Sequence, residues 1–276
     1  FWRLKAFVNV WRGVHMWGDM TRKGFGKASA TALLLLCCAT PCLGQSRVNV
    51  WSGYEAVDES DDWTTLGGQL TMRSSKGSGA WLAVEMLGRY GDTDITERLG
   101  GVLHPNDRWW FTLEAGTSKQ PLFSPKNTWE ADAATLIGHR SSVGLTYRRW
   151  NYTEGPVDIL MPRFTTETPK MSWTMRVFIS RNPSDRTDWA GQIQVARAFS
   201  RRITGSLLGA GGRETYSVAG ALQSLETTTI GLGARYNAGK KLTVRLDASF
   251  INSQPILSRR GVALGLGGRD LSEQVG

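Results

Sequence analysis

Hydrophobic and polar residues alternate with a period of two along most of the chain. The alternation is clearest over residues 226–267, where Ile230 and Leu232 alternate with glycines and where Val244 and Leu246 alternate with charged residues. A period of two places successive side chains on opposite faces of a β-strand, so one face is apolar and the other is small or charged. Because helical patterns are scarce, the chain is predicted to be all-β.

Turn-forming residues separate the alternating segments and predict about fourteen strands, with roughly 12 to 16 possible. The expected strands are 48–57, 63–73, 80–90, 94–103, 108–116, 128–136, 141–151, 156–166, 171–181, 189–199, 202–211, 226–236, 241–251 and 260–268. Tight turns alternate with longer connections, which are expected at 117–127, 182–188 and 212–225. Strands of about 10 residues, an even strand count and this rhythm are typical of an antiparallel up-and-down transmembrane β-barrel.

Tryptophan positions agree with a barrel. Outer-membrane barrels carry girdles of aromatic residues where strand ends meet the lipid headgroups. The tryptophans that follow residue 44 are all expected near strand ends. We predict an interfacial girdle formed by Trp51, Trp63, Trp81, Trp109, Trp110, Trp129, Trp150, Trp173 and Trp189.

The first part of the chain has the pattern of a secretory signal peptide. Basic residues around Arg22 and Lys27 precede an apolar run of about a dozen residues, shorter than a membrane-spanning helix. Small residues then favour cleavage between Gly44 and Gln45. The predicted organisation is an upstream or misassigned segment over 1–19, a signal peptide over 20–44, a barrel over 45–268 and a C-terminal tail over 269–276.

Cleavage at this position would change both the thiol content and the charge. All three cysteines, Cys37, Cys38 and Cys42, precede the cut, so the exported domain is expected to lack disulfides and thiol metal sites. Loss of residues 1–44 also removes six basic residues and one acidic residue, so the formal net charge falls from +9 to +4 (9 − 6 + 1). The basic balance that would favour nucleic-acid binding largely disappears, and no nucleic-acid partner is expected.

Residues that could support catalysis are few. His104 and His139 both fall in tight turns, and no serine or carboxylate is spaced to complete a triad. Asp61 and Asp62 are adjacent and would point to opposite faces of a strand. We predict a non-enzymatic protein with no catalytic residue, cofactor or metal. The alternatives are an outer-membrane lipid-modifying or proteolytic enzyme and a soluble periplasmic glycan-binding β-sandwich.

Charged residues of both signs alternate with the apolar face and are expected to form ion pairs inside the barrel. The predicted lumen charges are Glu55, Arg89, Arg98, Glu114, Glu130, Asp132, Arg148, Asp158, Arg176, Arg235, Arg245 and Asp247. Two interpretations remain open: a filled lumen that only stabilises the barrel, and a polar conduit for a hydrophilic solute. Barrels of about eight strands are filled and barrels of 16 to 18 leave a channel, so about fourteen strands favours neither.

Three segments in the middle of the chain carry a family resemblance. Residues 100–116 read GGVLHPNDRWWFTLEAG, residues 121–125 read PLFSP and residues 143–149 read VGLTYRR. With its aromatic DRWW strand start and its Leu-Phe-x-Pro loop, the chain resembles the YaiO family of outer-membrane β-barrel proteins. The resemblance runs from about residue 48 to residue 267. It implies an outer-membrane barrel in a Gram-negative bacterium and implies no catalytic residues.

The expected partners follow from this class of protein. They are the outer-membrane lipid bilayer, the barrel insertion machinery and a hydrophilic solute or surface polysaccharide. Family members tend to end on an aromatic-ended strand that the insertion machinery reads, whereas this chain continues through a polar segment to Gly276.

Overall fold

The computed structural model describes residues 45–58, 60–74, 77–119, 121–218, 221–239, 242–254 and 257–268. The predicted signal peptide, residue Gly44 of the predicted cleavage site and the predicted tail lie outside these residues. The described part of the chain consists of 14 β-strands joined by short connections. Among the described residues, no helix is long and apolar enough to cross a membrane.

The strands form one closed antiparallel sheet. They are β1 (Gln45–Val57), β2 (Trp63–Arg73), β3 (Gly79–Arg89), β4 (Asp92–Leu103), β5 (Trp109–Lys119), β6 (Asn127–Ile137), β7 (Ser141–Asn151), β8 (Pro156–Glu167), β9 (Met171–Arg181), β10 (Thr187–Ala198), β11 (Ile203–Val218), β12 (Ala221–Ala238), β13 (Leu242–Gln254) and β14 (Leu257–Gly268). Each strand pairs with the next, and β1 pairs with β14. Closure leaves no free strand edge, as lipid requires. The predicted up-and-down barrel of about fourteen strands is confirmed, and the alternative of a β-sandwich is wrong.

The barrel has two rims, which we name by their chain segments. The terminal rim carries the start of β1 and the end of β14, and the loop rim lies at the opposite ends of the strands. Connections span two to seven residues at the loop rim and three to five at the terminal rim, so the predicted short–long rhythm is weak.

The predicted long connection at 212–225 is wrong. β11 continues to Val218 and β12 begins at Ala221, so this stretch belongs to a long β-hairpin with a two-residue link. Its sequence is mostly glycine and polar residues, and therefore it shows no apolar period of two. The other two predicted long connections are real but shorter than expected, because β5 reaches Lys119 and β10 starts at Thr187.

Large apolar side chains cover the outer surface. Phe111 and Leu113 on β5 and Leu264 and Leu266 on β14 are all at least 40% exposed, while the residues between them point inwards. Residues paired across neighbouring strands share a face, so the apolar positions form a band around the barrel. An apolar band of this extent fits the hydrocarbon of a bilayer, because water would make it unfavourable.

The interior is wide. Fourteen strands spaced about 4.8 Å apart and tilted by about 40° give a backbone diameter of about 28 Å. Side chains from opposite walls cannot meet across this width. The lumen can therefore be closed only where loops or hairpins fold into it.

Candidate functional site

A ladder of charged side chains follows the inner wall of the barrel. The indole N–H of Trp51 donates to Glu85 at 3.0 Å, and the indole N–H of Trp81 donates to Glu114 at 3.1 Å. The guanidinium of Arg98 lies between the two carboxylates, with one N···O distance of 3.8 Å to each. These contacts link β1, β3, β4 and β5 through a shared cation.

Glycines make this arrangement possible. Trp51 lies against Gly67 on β2, and Trp81 lies against Gly100 on β4, so that a methyl group added at either glycine would overlap the indole. A residue without Cβ lets the ring cross the neighbouring strand at close range. The same Trp–Gly–Glu arrangement thus occurs twice, two strands apart.

The ladder continues on β6, β7 and β8. Arg148 donates through Nε to Glu130 at 2.6 Å. Asp132 accepts from the Thr146 hydroxyl at 2.5 Å and from Arg163 Nη2 at 3.2 Å. We define the charge ladder by seven acidic and basic residues, which are Glu85, Arg98, Glu114, Glu130, Asp132, Arg148 and Arg163.

Most residues of the charge ladder are partly exposed although they lie inside the barrel. The side chains of Arg98, Glu85, Glu114, Arg148 and Glu130 are between 21 and 33% exposed. They point away from the lipid, so this exposed surface faces the lumen. Ion pairs that remain accessible to water contribute only about 0–1 kcal/mol each to stability. The ladder therefore lines open space instead of forming a dry core.

At the loop rim, the connection between β5 and β6 folds inwards. The carboxylate of Asp94 on β4 is fully buried and accepts hydrogen bonds from three consecutive backbone N–H groups. The donors are Leu122 at 3.0 Å, Phe123 at 3.0 Å and Ser124 at 2.7 Å. Phe123 is consequently buried in the barrel mouth.

An aromatic and cationic cluster surrounds this loop. The guanidinium carbons of Arg89 and Arg259 lie 4.2 and 4.6 Å from the centroid of Trp63. Arg89 also lies 5.4 Å from the ring of Phe123. Arg259 forms an ion pair of 3.1 Å with Glu55. Partly desolvated cation–π contacts of this kind contribute about 1–2 kcal/mol each.

An apolar cluster also lies at the loop rim. Val157, Ile159 and Met161 of β8 are buried on the inner face. They pack against Trp150, Tyr152, Phe178 and Leu222. Leu222 belongs to β12, four strands away from β8, so the β11–β12 hairpin reaches over the mouth. We call the inward loop, the aromatic and cationic cluster and this apolar cluster together the loop-rim constriction.

A second buried carboxylate holds the hairpin. Asp188 on β10 accepts hydrogen bonds from the hydroxyls of Thr215 at 3.2 Å and Ser224 at 2.5 Å. Gly212 has a φ of 141°, a conformation that favours glycine, and a Cβ there would overlap Ala190. The hairpin therefore bends at Gly212 and is fixed by Asp188.

Outside the strands, the loop-rim constriction shifts the pKa of a tyrosine, Tyr152. It lies between β7 and β8 and packs against the apolar cluster. Burial raises the pKa of its phenol to about 12, although the nearby positive charge of Arg89 acts in the opposite direction. The phenol is therefore uncharged at all physiological pH values.

Eleven of the twelve predicted lumen charges lie on the inner face of the barrel. The exception is Asp158, which points outwards, where it accepts from the Tyr147 hydroxyl at 2.6 Å and pairs with Arg149 at 3.6 Å. The prediction for Asp158 is wrong because the inner face of β8 is apolar at the constriction. At this level the apolar residues Val157 and Ile159 occupy the inner face, and Asp158 lies on the outer face between them.

Five of the nine predicted girdle tryptophans are assigned wrongly. Trp51, Trp63, Trp81, Trp110 and Trp150 point into the lumen, where they bind carboxylates, contact arginines or pack in apolar and aromatic clusters. Sequence position near a strand end does not reveal the face, and Trp109 and Trp110 point to opposite sides. The other four tryptophans face outwards near strand ends and are 42 to 58% exposed, namely Trp109, Trp129, Trp173 and Trp189. For these four, the interfacial girdle stays a prediction.

Several site residues escaped prediction from sequence. They are Glu85, Asp94, Arg163, Asp188 and Arg259. Glu85 and Arg163 lie in strands whose alternation is imperfect, so their facing could not be assigned. Asp94 is the third residue of β4 and Asp188 is the second residue of β10, and nothing local indicates that a distant segment would fold onto them.

His104 and His139 lie outside the charge ladder and the loop-rim constriction. Both are exposed in turns at the terminal rim, and the ring of His104 stacks on Trp110 with a centroid distance of 6.3 Å. Within the described residues, no group of three or more His, Cys, Asp or Glu residues could hold a metal ion.

These features define the class of protein. A closed antiparallel barrel with an apolar exterior and a charged, water-accessible interior is an outer-membrane β-barrel, the kind found in the outer membrane of Gram-negative bacteria. No family model matches the sequence, and no curated protein matches it.

Solved structures share the fold. One is a bacterial polysaccharide outer membrane secretin, with 9% identity, a TM-score of 0.54 and coverage of 82% of this chain and 98% of that chain. Another is the outer membrane protein Omp33 of Acinetobacter baumannii, with 12% identity, a TM-score of 0.52 and coverage of 81 and 98%. The CymD monoaromatic hydrocarbon channel matches with 8% identity, a TM-score of 0.54 and coverage of 86 and 91%. At these identities the similarity concerns the fold.

Proposed function

We propose that this protein is a non-enzymatic conduit for hydrophilic solutes across the outer membrane. The observation that carries the proposal is the partial exposure of the charge ladder inside the barrel. A filled lumen would bury these side chains, and buried charges are costly unless every partner is in place. Accessible charges of both signs instead favour water and polar solutes along the wall.

The loop-rim constriction sets the width of this conduit. The inward loop at 121–126 and the β11–β12 hairpin occupy the mouth, and each is fixed by one buried aspartate, Asp94 or Asp188. Small hydrophilic solutes would pass beside them. Passage of an extended surface polysaccharide would require the hairpin to move, so we place small solutes first and polysaccharide export second.

We further propose that the chain belongs to the YaiO family. The proposal is supported by the places that the resembling residues occupy in the fold. In the DRWW segment, Trp109 points to lipid and Trp110 stacks on His104. The Leu-Phe-x-Pro segment forms the loop that Asp94 fixes. A barrel of this type would require the insertion machinery as its assembly partner.

Single-channel recording in planar lipid bilayers tests the conduit. The full-length protein is refolded in detergent, and heat-modifiable gel mobility first establishes that the barrel has formed. We expect discrete conductance steps in KCl. Folded, inserted protein that never produces steps would refute the proposal and leave the filled lumen as the correct interpretation.

Liposome swelling gives the size limit in the same system. Neutral sugars of increasing length are added outside liposomes that contain the protein. We expect monosaccharides to enter and long oligosaccharides to be excluded by the loop-rim constriction. Equal entry of all sizes would contradict the assignment of the constriction.

A further inference from the structure

At the level of the charge ladder, the inward-facing charges of β6 to β9 do not balance. Glu130 is paired with Arg148, and Asp132 is paired with Arg163. The next inward-facing cation is Arg176 on β9, which is the direct cross-strand partner of Arg163. Three arginines therefore lie beside two carboxylates.

Arg176 is the arginine of this group without an acid. In the described part of the chain its side-chain contact is a long hydrogen bond, 3.4 Å, from Nη1 to the amide oxygen of Gln192. A guanidinium has five N–H donors in a planar fork, so Arg176 keeps donors available on the lumen side. Its charged neighbours are Arg163, Arg148, Asp132 and Glu130.

The wall next to Arg176 is polar and small. Gln192 lies across the strand pair from it, and Gln194 and Thr174 form the adjacent inward pair. On β11, the partner of Gln192 is Ala210. Because Gln192 uses its oxygen towards Arg176, its amide N–H groups remain able to donate. The surroundings thus offer hydrogen-bond donors and space, and among the described residues no acid forms an ion pair with Arg176.

We propose that Arg176 and Gln192 form a binding station for the carboxylate group of a hydrophilic solute in the lumen. The planar guanidinium matches a carboxylate in a two-pronged hydrogen bond, and the Gln192 amide adds a third donor. The inference rests on the proposed conduit and deepens it, since it makes the lumen selective for anions. Ion pairs occupy Arg148 and Arg163, whereas Arg176 keeps hydrogen-bond donors for a solute.

The test uses gluconate as the probe and sorbitol as its control, because both are six-carbon polyols and only gluconate carries a carboxylate. In a KCl gradient, we expect the reversal potential of the wild-type channel to show a preference for chloride. Gluconate should reduce the single-channel current, whereas sorbitol at the same concentration should not. In Arg176→Gln the chloride preference should fall, and block should need about tenfold more gluconate.

Two further variants separate the site from general charge effects. Arg197→Gln removes the same charge from the outer surface beside Phe199 and should behave as wild type. Arg176→Lys keeps the charge but loses the fork, so it should retain chloride preference and lose gluconate block. Heat-modifiable mobility confirms that each variant forms the barrel.

Calorimetric titration of gluconate into the detergent-solubilised barrel makes the two proposals separable. Binding that disappears in Arg176→Gln while the wild type shows no conductance would retain the station and reject the conduit. Conductance with equal selectivity and equal gluconate response in wild type and Arg176→Gln would retain the conduit and overturn the station.

Discussion

Substitution of Asp94 by asparagine should release the inward loop from the barrel mouth. The carboxylate of Asp94 accepts three backbone N–H groups at 2.7 to 3.2 Å and has no exposed surface. Hydrogen bonds to a charged acceptor contribute about 1.5–3 kcal/mol each, and asparagine keeps one oxygen but loses the charge and the second acceptor. We therefore expect the docked loop to lose about 3 kcal/mol, which shifts its docking equilibrium by about 100-fold.

Two assays report this release. In single-channel recordings, Asp94→Asn should show larger conductance and more rapid current fluctuation than wild type, because the loop no longer blocks part of the mouth. In the second assay, Phe123→Cys provides a thiol in a barrel region that contains no other cysteine. Residue 123 is buried, so the thiol should be labelled slowly in the Phe123→Cys single variant. It should be labelled fast in the double variant that also carries Asp94→Asn.

Asp158→Asn is the matched control, because it is the same chemical change on the outer face, where the carboxylate contacts Tyr147 and Arg149. It should leave conductance and labelling unchanged. Folded Asp94→Asn that conducts and labels like wild type would show that the loop is held by its packing instead of by the carboxylate.

Three further results are expected. Gly67→Ala should destabilise the barrel by about 1–3 kcal/mol in urea unfolding, because the new methyl group overlaps Trp51. The control Gly53→Ala should cost far less, because its methyl group would lie 3.7 Å from the nearest atoms. Equal losses of stability would contradict the packing of the Trp51 indole against Gly67. Asp188→Asn should free the β11–β12 hairpin and raise conductance, and an unchanged open-state current would oppose its role as an anchor. Tyr152 has a folded pKa of about 12 against an ordinary 10.0, so the unfolded chain ionises first and stability should fall by about 2 kcal/mol between pH 10 and 12. Tyr152→Phe should remove that part of the pH dependence, and an identical slope in the variant would disprove the burial of the phenol.

The sequence was most informative where one strand face meets lipid. On β13 and β14 the alternation of apolar with charged or glycine residues agrees with the described facings, and Arg245 and Asp247 lie on the inner face. The physical reason is that hydrocarbon selects strongly for apolar side chains at every second position. The strand number and the barrel closure follow from the same constraint.

The pattern failed where the constriction reverses it. On β8, Val157 and Ile159 are apolar and point inwards, because a hairpin and a loop cover them. Asp158 consequently lies outside. A sequence window on β8 contains no information about Leu222, which is far away along the chain and completes the apolar cluster. The facing of β8 is therefore a property of the tertiary structure.

Dependence on distant residues also explains why the sequence did not predict the facing of the tryptophans or the contacts of the buried aspartates. Trp51 has the sequence context of an interfacial residue, and its lumen position depends on Gly67 and Glu85 on two other strands. Asp94 binds the backbone of a loop that comes 28 residues later. Backbone N–H groups have no residue signature, so no motif predicts such a contact.

The sequence by itself determined that this chain forms a closed β-barrel with an apolar exterior and charges inside, because a period of two is a local property of every strand in lipid. Only the tertiary structure decided which charges are paired, where the mouth narrows and that Arg176 forms no ion pair with an acid of the described residues. Those outcomes depend on distances between side chains on different strands and on loops that fold into the lumen. Closure of the barrel brings these side chains together, and the local pattern does not encode which of them meet.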